Sequence, residues 1–505
     1  MPRRPGLRRA LRRLELADLA AIAAGLALPF AFAPWGYWPL ALVAPAVLFL
    51  AWRHAAPGRA AGRGFLFGFA AFLTGTWWTF VSVHEFGAAP VPLAAFLTFG
   101  LAAIMGGYYA LLGWLAARWL PAGGALRWLV GLPAAWTAIE WLRGWFLSGF
   151  PWLSLGYSQT DSVLGAFAPL GGVYGLGWIC ALGAGALAAV LVEGMAGRAL
   201  AVATLIALFA GTGFAARATW TEPTGTPVRA VMVQGAVGQD EKWLAAALEP
   251  TRQLYLEMTR PHWGADLVIW PEAAIPALLH EEMDFIEALD AEARAAGSTL
   301  LLGILERDPA SGHYHNILVS LGGEPEIYRK RQLVPFGEYF PVPAFVRSWM
   351  RLMNLPYTDF APGRADPPPL MLAGTPVAPT ICYEDAFGAQ QRVFFPAAEL
   401  LVNVSNDAWF GDTRAPHQHL QIARMRAMET GRWMLRATNN GITAVIDPRG
   451  RVTQRSRQFV AEVIEAEVTP MRGLTPWLRY GDGPLAAVAT GLFLLAALRR
   501  DRAGR

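Results

Sequence analysis

The chain has 505 residues, of which 54% are hydrophobic and only 16% charged, where soluble globular proteins carry about a quarter charged residues. That composition excludes an ordinary water-soluble protein over the whole length, and two cysteines, Cys180 and Cys382, exclude a disulfide framework. The net charge of +4 is uneven: residues 1–15 carry +5 and residues 499–505 carry +3, so everything between is net −4. Basic ends without a basic stripe between them read as anchors against anionic lipid headgroups, not as a nucleic-acid surface.

Apolar runs of membrane-crossing length, about 20 residues, are expected near 17–35, 37–52, 65–83, 91–117, 128–147, 166–192 and 199–216. The loops between them alternate in charge. Arg53, Arg59 and Arg63, then Arg118 and Arg127, then Arg198 fall on one side, whereas the loop Val83 to Pro90, with His84 and Glu85, lacks Arg and Lys. By the enrichment of Arg and Lys in cytoplasmic loops, this predicts an inside N-terminus and a chain that leaves the seventh span on the outer side. The apolar run Pro484 to Leu498 would return it to the basic tail, with Trp477 and Tyr480 at the interface. The run Gly171, Gly172, Tyr174, Gly175, Gly177 has no preceding strand and reads as a helix–helix contact of small residues, not as a phosphate loop. Cys180, in the same apolar run, reads as a buried small hydrophobe. Glu140 and Arg143 are unusual charges within the fifth span, expected to pair with each other or to position a headgroup.

Between 226 and 468 the pattern changes. Short β-rich runs at 228–234, 265–270, 300–305, 316–321, 376–382, 400–404 and 442–446 alternate with helical stretches at 239–259, 282–296 and 416–430, which argues an α/β domain with covered sheet faces. The expected organisation is a seven-helix transmembrane domain over 1–219, an extracytoplasmic α/β domain over 220–470, and a C-terminal helix with a basic cytoplasmic tail over 471–505.

Function in such folds sits at strand ends, and three strand ends carry reactive residues: Trp270-Pro271-Glu272, Tyr328-Arg329-Lys330, and Ile381-Cys382-Tyr383-Glu384. Each alone has a bland explanation, as a solvated acid, a surface base or a core thiol. Together they form a chemical set. A thiol with an ordinary pKa near about 8.5 is mostly protonated at neutral pH, so a nucleophilic cysteine needs a base or a cation beside it. Glu272 is the expected base, with its pKa raised by burial, and Lys330 the expected cation for thiolate and oxyanion. A helix beginning after Cys382 would add its N-terminal dipole. A Cys-His dyad through His417 or His419 is the weaker rival, since the sequence does not place either near the thiol, and two His at i, i+2 on a helix cannot share a metal.

In that order and context, Glu272, Lys330 and Cys382 resemble the Glu-Lys-Cys triad of the nitrilase (carbon–nitrogen hydrolase) superfamily over roughly 226–468. The strings Leu333-Val334-Pro335-Phe336-Gly337-Glu338, Cys382-Tyr383-Glu384, Ser405-Asn406-Asp407-Ala408-Trp409-Phe410, Gln418-His419-Leu420-Gln421 and Phe150-Pro151-Trp152-Leu153 look like its membrane-bound branch, the bacterial apolipoprotein N-acyltransferases. The resemblance implies an αββα sandwich beside a multi-pass helical domain in the inner membrane, with a periplasmic site and both termini cytoplasmic. It implies ping-pong acyl transfer from a phospholipid, such as the sn-1 position of phosphatidylethanolamine, through a Cys382 thioester to the α-amine of a diacylglyceryl-cysteine on an apolipoprotein. It also implies supporting roles for Glu338, Tyr383 and Glu384, substrate contacts for Trp243 and Asn316, and a monomer. No cofactor, metal or nucleotide site is expected. The apolar segment from Phe345 to Phe360, with Trp349 and Met350, is expected to be a lid that dips into the bilayer and contacts lipid substrate. A tethered amidase or nitrilase, in which water resolves the thioester, is the nearest rival; a transporter is disfavoured by the scarcity of ionisable residues in the spans and the lack of repeats.

Overall fold

The computed structural model describes residues 15–339 and 360–503. The N-terminal half is helical: α1 (Leu16–Ala27), α2 (Leu40–Ala51), α3 (Pro57–Gly75), α4 (Val91–Trp119), α5 (Leu132–Arg143), α6 (Ala168–Val192) and α7 (Met195–Ala215). Among the described residues, Val91–Trp119, Val163–Val192 and Met195–Ala215 are long and apolar enough to cross a membrane; a fourth joins them if α3 and Trp78–Phe86, bent by 55°, are taken as one. The expected runs 17–35 and 37–52 are shorter helices than the sequence suggests. Pro29 leads α1 into a 3₁₀ turn and Pro39 delays the start of α2, because proline cannot donate the hydrogen bond that would continue either helix. The third run also shifts, starting at Pro57 and breaking after Gly75.

Packing in this region puts small residues inside and large apolar ones outside. A Cβ at Gly64 would meet the Tyr109 carbonyl oxygen at 2.0 Å, and one at Gly113 the Ala60 oxygen at 2.4 Å, so α3 and α4 approach backbone to backbone. Phe96, Ile104, Met195, Ile206 and Phe214 point outward and are exposed, the arrangement expected of helices solvated by lipid. The basic residues gather at one end, where Arg63 donates to Ala51 O, Arg127 Nη2 to Trp52 O at 3.3 Å, and Arg53 Nη2 to Val192 O at 3.2 Å. These are carbonyls at helix C-termini, which lack partners within the helix and favour cations. Arg63 also pairs with Glu15 and Asp18.

The glycine run inside α6 is more than a small-residue contact. Gly172 adopts φ +62 and breaks the helix, and the freed Val173 N–H donates to Glu429 Oε1 at 2.7 Å. Glu140 and Arg143 do not pair as expected. Glu140 Oε1 accepts from Leu155 N at 2.9 Å, and Arg143 donates to Phe150 O, to Trp152 O at 2.8 Å and to Ser154 Oγ at 2.9 Å. Both charges therefore hold the Phe150-Pro151-Trp152-Leu153 loop.

The second half holds two six-stranded sheets. Its strands are β1 (Val228–Gln234), β2 (Leu267–Ile269), β3 (Thr299–Arg307), β4 (Tyr314–Leu321), β5 (Ile327–Arg329), β6 (Leu370–Leu372), β7 (Thr375–Ile381), β8 (Leu400–Ser405), β9 (Met434–Thr438), β10 (Ala444–Ile446), β11 (Val452–Arg455) and β12 (Glu462–Val468). The orders are β12-β1-β2-β3-β4-β5 and β11-β10-β9-β8-β7-β6, each with a parallel centre, β1-β2-β3 and β7-β8-β9. Alternation along the strands fills both faces. Ala230, Met232, Leu267, Ile269 and Leu301 meet Val377, Leu400, Val402, Met434 and Ala444 between the sheets. Val231, Val233, Val268, Leu300 and Leu302 face the other way, under α8 (Ala245–Thr259) and α9 (Met283–Ala296). On the second sheet lies α10 (Ala415–Thr430), through Leu420, Ala423 and Ala427. Its other side, with Ile422, Met425 and Met428, joins the core of the helical region together with Tyr383 and Phe387. The outermost layer of the αββα sandwich is thus shared with the helical bundle, and α11 (Gly483–Ala503) returns along that bundle.

Candidate active site

Strands from both sheets end at the same place. Glu272 follows β2, Lys330 follows β5 from the same sheet, and Cys382 follows β7 from the other. Lys330 Nζ lies 3.1 Å from Glu272 Oε1 and 2.8 Å from Glu338 Oε1, one buried ammonium between two carboxylates. Asn316 Nδ2 donates to the same two groups, at 2.7 and 3.3 Å, and Asn406 N donates to Glu272 Oε2 at 2.8 Å. Burial pushes the Glu272 carboxyl up, but the Lys330 charge and these donors outweigh it and hold the pKa below the ordinary value. That corrects the expectation of a raised pKa, because a carboxylate with this many donors is stabilised in its charged form even out of water. Burial likewise disfavours the Lys330 charge, yet Glu272 and Glu338 raise its pKa well above the ordinary lysine value.

Cys382 is 8% exposed and takes φ +53, a left-handed conformation that costs a non-glycine residue energy and is held only by its surroundings. Burial and the Glu272 charge push its thiol well above the ordinary pKa, against the pull of Lys330. These directions favour an ionised Glu272 and an ionised Lys330 beside a protonated thiol. A full helix does not follow Cys382: the residues Cys382–Ala386 form one 3₁₀ turn, too short for a sizeable dipole.

Glu384 ties two strand ends together. Its carboxylate accepts from Ile381 N at 2.7 Å beside the cysteine, and from Arg331 N at 2.6 Å and Gln332 N at 3.1 Å beside the lysine, with Tyr328 Oη donating at 2.9 Å. Tyr383 turns toward the helical region, stacking on Trp152 with ring centroids 6.3 Å apart and donating from Oη to Gly149 O at 3.3 Å. Trp243 is 47% exposed and follows Lys242, whose buried ammonium donates to the Glu272 carbonyl at 3.3 Å. Burial lowers the Lys242 pKa to about 8. Trp349 and Met350, and with them the expected lid as far as Asp359, lie outside the described residues, and Phe360 at its end bridges Tyr314.

Sequence reasoning missed one whole side of this site. His419 lies close to the thiol, contrary to the expectation: the Cys382 Sγ, an Asp407 carboxylate oxygen and a ring nitrogen of His419 are all within 4.8 Å of one another. A metal there would have to displace existing bonds, because Nδ1 faces Asp407 Oδ1 at 2.9 Å and Nε2 faces Asp385 Oδ1 at 3.0 Å. Arg436 closes the cluster, 3.2 Å from Asp385 Oδ2 and 3.1 Å from Asp407 Oδ2. The available signal was Arg436 itself, a charged residue inside the apolar run Trp433 to Ala437, where an unpaired guanidinium would be prohibitive.

Comparison with known proteins agrees with both halves. Residues 24–186 match the model of the apolipoprotein N-acyltransferase N-terminal domain, and residues 230–474 match that of the carbon–nitrogen hydrolases. An apolipoprotein N-acyltransferase of Methylococcus capsulatus is 44% identical over 96% of this chain and 97% of its own length. That of Azotobacter vinelandii is 44% identical over 96% and 95%, and one from Pseudomonas aeruginosa 40% identical over 96% of each chain. With a nitrilase-like sandwich joined to a helical half and relatives matched from end to end, this chain belongs to the apolipoprotein N-acyltransferase family.

Proposed function

We propose that the chain moves an acyl group from a phospholipid, through a thioester on Cys382, to the N-terminal α-amine of a diacylglyceryl-cysteine on an apolipoprotein. Membership of the family makes it an acyltransferase of lipoprotein maturation; donor, intermediate and residue roles are the proposal. The observation that carries it is the buried Glu272–Lys330–Glu338 cluster meeting Cys382 where the sandwich joins an apolar helical bundle.

The charges suit a reaction in which the proton moves as the bond forms. The Cys382 sulfur attacks the ester carbonyl, its proton passes to Glu272, and Lys330 stabilises the developing oxyanion. Collapse breaks the ester C–O bond, and Glu272 returns the proton to the leaving oxygen, giving a lysophospholipid and the acyl thioester. The acceptor amine then attacks the thioester, Glu272 takes one amine proton and gives it to the departing sulfur, and an amide remains. Glu338 and Asn316 hold Lys330 and Glu272, Glu384 and Tyr383 hold the Cys382 turn, and Trp243 contacts substrate. Trp349 and Met350 would complete the lipid entrance.

Topology supports the periplasmic assignment. Helix α3 carries Arg59 and Arg63 at its start, whereas at its end Thr74 O and Gly75 O accept from Arg414 and Gln418 of the sheet half, at 2.7 and 3.1 Å. At 1.5 Å per residue those ends stand about 28 Å apart, the thickness of a hydrocarbon core. Basic residues inside would put residues 220–470 outside, with both termini cytoplasmic in a bacterial inner membrane and residues 1–219 and 471–505 holding the chain there.

The test is mass spectrometry of the Cys382 peptide after incubation with phosphatidylethanolamine vesicles, followed by addition of a diacylated lipopeptide. An acyl adduct that forms, that Cys382→Ala lacks and that chases onto the peptide amine supports the reading. Free fatty acid with no acylated peptide would assign hydrolysis instead.

A further inference from the structure

The mechanism above uses the Glu272 side of the site and leaves its other side without a task. That side is a closed ring of four buried groups around the Cys382 carbonyl. His419, from α10, presents Nδ1 to Asp407 and Nε2 to both Asp385 and the Cys382 carbonyl oxygen, the last at 3.2 Å. Arg436, from β9, bonds the remaining oxygens of both aspartates and the Asn403 side-chain oxygen. Asn403 Nδ2 in turn reaches the same Cys382 carbonyl at 3.4 Å. All four charged members are at most 1% exposed.

The bonding fixes the state of the imidazole. Between ionised aspartates both ring nitrogens face only oxygens that accept, and satisfying them takes hydrogen on both, which only the imidazolium provides. Burial and Arg436 oppose that charge, Asp385 and Asp407 favour it, and the balance lies at a pKa of about 9. With His419 charged the ring holds two negative and two positive groups and sums to zero. Were it neutral, one uncompensated carboxylate would remain, within 4.8 Å of the sulfur, opposing every step in which that sulfur gains negative charge. Among the described residues the Trp152 and Phe410 rings lie 5.8 and 6.4 Å from the imidazole, Ser405 Oγ donates to Asp407 Oδ1 at 2.7 Å, and Tyr157 and Arg426, itself paired with Glu429, interact with Asp385.

We infer that His419 is a positioning residue for the nucleophile: as an imidazolium it pins the Cys382 carbonyl in the left-handed turn and cancels the aspartate charge beside the thiol. Resting on the acyl-transfer reading for its purpose, it is nonetheless testable apart from it. The experiment uses the full chain in a Cys180→Ala background, in phospholipid-free detergent micelles for alkylation and unfolding and in phosphatidylethanolamine vesicles for acyl transfer. It measures Cys382 alkylation by iodoacetamide from pH 6 to 10, acyl-adduct formation on Cys382, and thermal unfolding. His419→Gln is expected to alkylate at least ~10-fold more slowly at neutral pH, with its pH–rate profile displaced upward. The kcat for acyl transfer should fall by a similar factor while KM for phospholipid stays within about twofold. His419→Lys, which restores the positive charge, is expected to recover alkylation to within about tenfold of native.

Native rates and an unshifted profile in His419→Gln would overturn the inference. So would equal impairment of both variants in step with lost thermal stability, the mark of a merely structural role. If His419→Gln does not fold, His419→Lys decides: alkylation within about tenfold of native supports the charge role, and slower alkylation rejects it. A native enzyme that alkylates as expected but takes no acyl group from phospholipid would sink the acyl-transfer reading and leave this one standing.

Discussion

The two sides of the site solve the same electrostatic problem in different places. On one side a single ammonium, Lys330, serves two carboxylates, Glu272 and Glu338, and all three belong to the first sheet and the loops that follow it. On the other, two cations serve two carboxylates, and the assembly is built from β7, β8, β9 and α10, with Trp152 of the helical half laid against both His419 and Tyr383. The first side is self-contained within the sandwich, whose second sheet supplies Asn406 N to Glu272; the second leans on the helical half. Cys382 lies between them, its electrostatic surroundings set by the sandwich and its turn braced by the bundle through Tyr383 and Trp152.

The sharpest way to break this comparison is on the self-contained side. Lys330→Met leaves the buried Glu272 and the partly exposed Glu338 without their cation, and stranding a buried charge typically costs about 3–5 kcal/mol. Acyl-adduct formation should fall by at least ~10³-fold, since the thiol and the oxyanion both lose their positive neighbour. Mass spectrometry of the Cys382 peptide measures the second effect and denaturant unfolding the first; retention of adduct would show that Lys330 does not serve the sulfur.

Next in size is Trp152→Ala on the dependent side. It removes the ring stacked on Tyr383 and the indole that donates to Gln418 Oε1 at 2.7 Å, while leaving every charge in place. A roughly tenfold fall in acyl transfer is expected, together with a few kcal/mol of stability from the cavity. An unchanged rate would mean that the helical half anchors the protein without positioning its nucleophile.

A third contrast is in pH. His419 has a folded pKa of about 9 against 6.5 for the free side chain, so its contribution to stability is fully present below pH 6.5 and is lost as pH rises through 9. Glu272 is shifted the other way, so its contribution is present above its ordinary value of 4.5 and is lost as pH falls through its lower folded value. Unfolding midpoints should therefore decline toward pH 9 in the native protein, and that alkaline decline should be shallower in His419→Gln. An identical decline in both would remove His419 as its source.

The smallest effect is a control outside the site. Arg472 and Glu222 pair at 2.9 Å with both side chains more than half exposed, and Arg472→Ala should alter stability by less than about 1 kcal/mol and acyl transfer not at all.

Much of this was readable in the sequence because it is written locally. Seven β-rich runs were expected and all seven contain strands, since alternation and β-branched residues report burial on a pleated surface. The strands outside those runs, β6, β9, β11 and β12, with β5 marked only by its end at Lys330, are short or carry charge, as Arg436 and the glutamates of β12 do, and such runs do not look buried. Helix lengths in the first half were misjudged for a related reason: hydropathy reports which residues prefer lipid, whereas Pro29, Pro39 and the break after Gly75 decide where a helix ends. Glu272, Lys330 and Cys382 stood out as reactive types at strand ends. His419 did not, because nothing in a linear string says that helix α10 lies under the cysteine turn.

Composition by itself thus determined an apolar helical half, a mixed α/β half, a chain with basic ends, and three reactive residues of the right kinds. Only the tertiary structure decided the protonation of those residues, because pKa values follow from burial and from neighbours that the chain brings in from distant strands. It also decided that a histidine far along the sequence holds the carbonyl of the cysteine, and that one helix serves as the outer layer of the sandwich and as part of the helical half's core. Those outcomes depend on which surfaces meet, and surfaces meet only when the chain is folded.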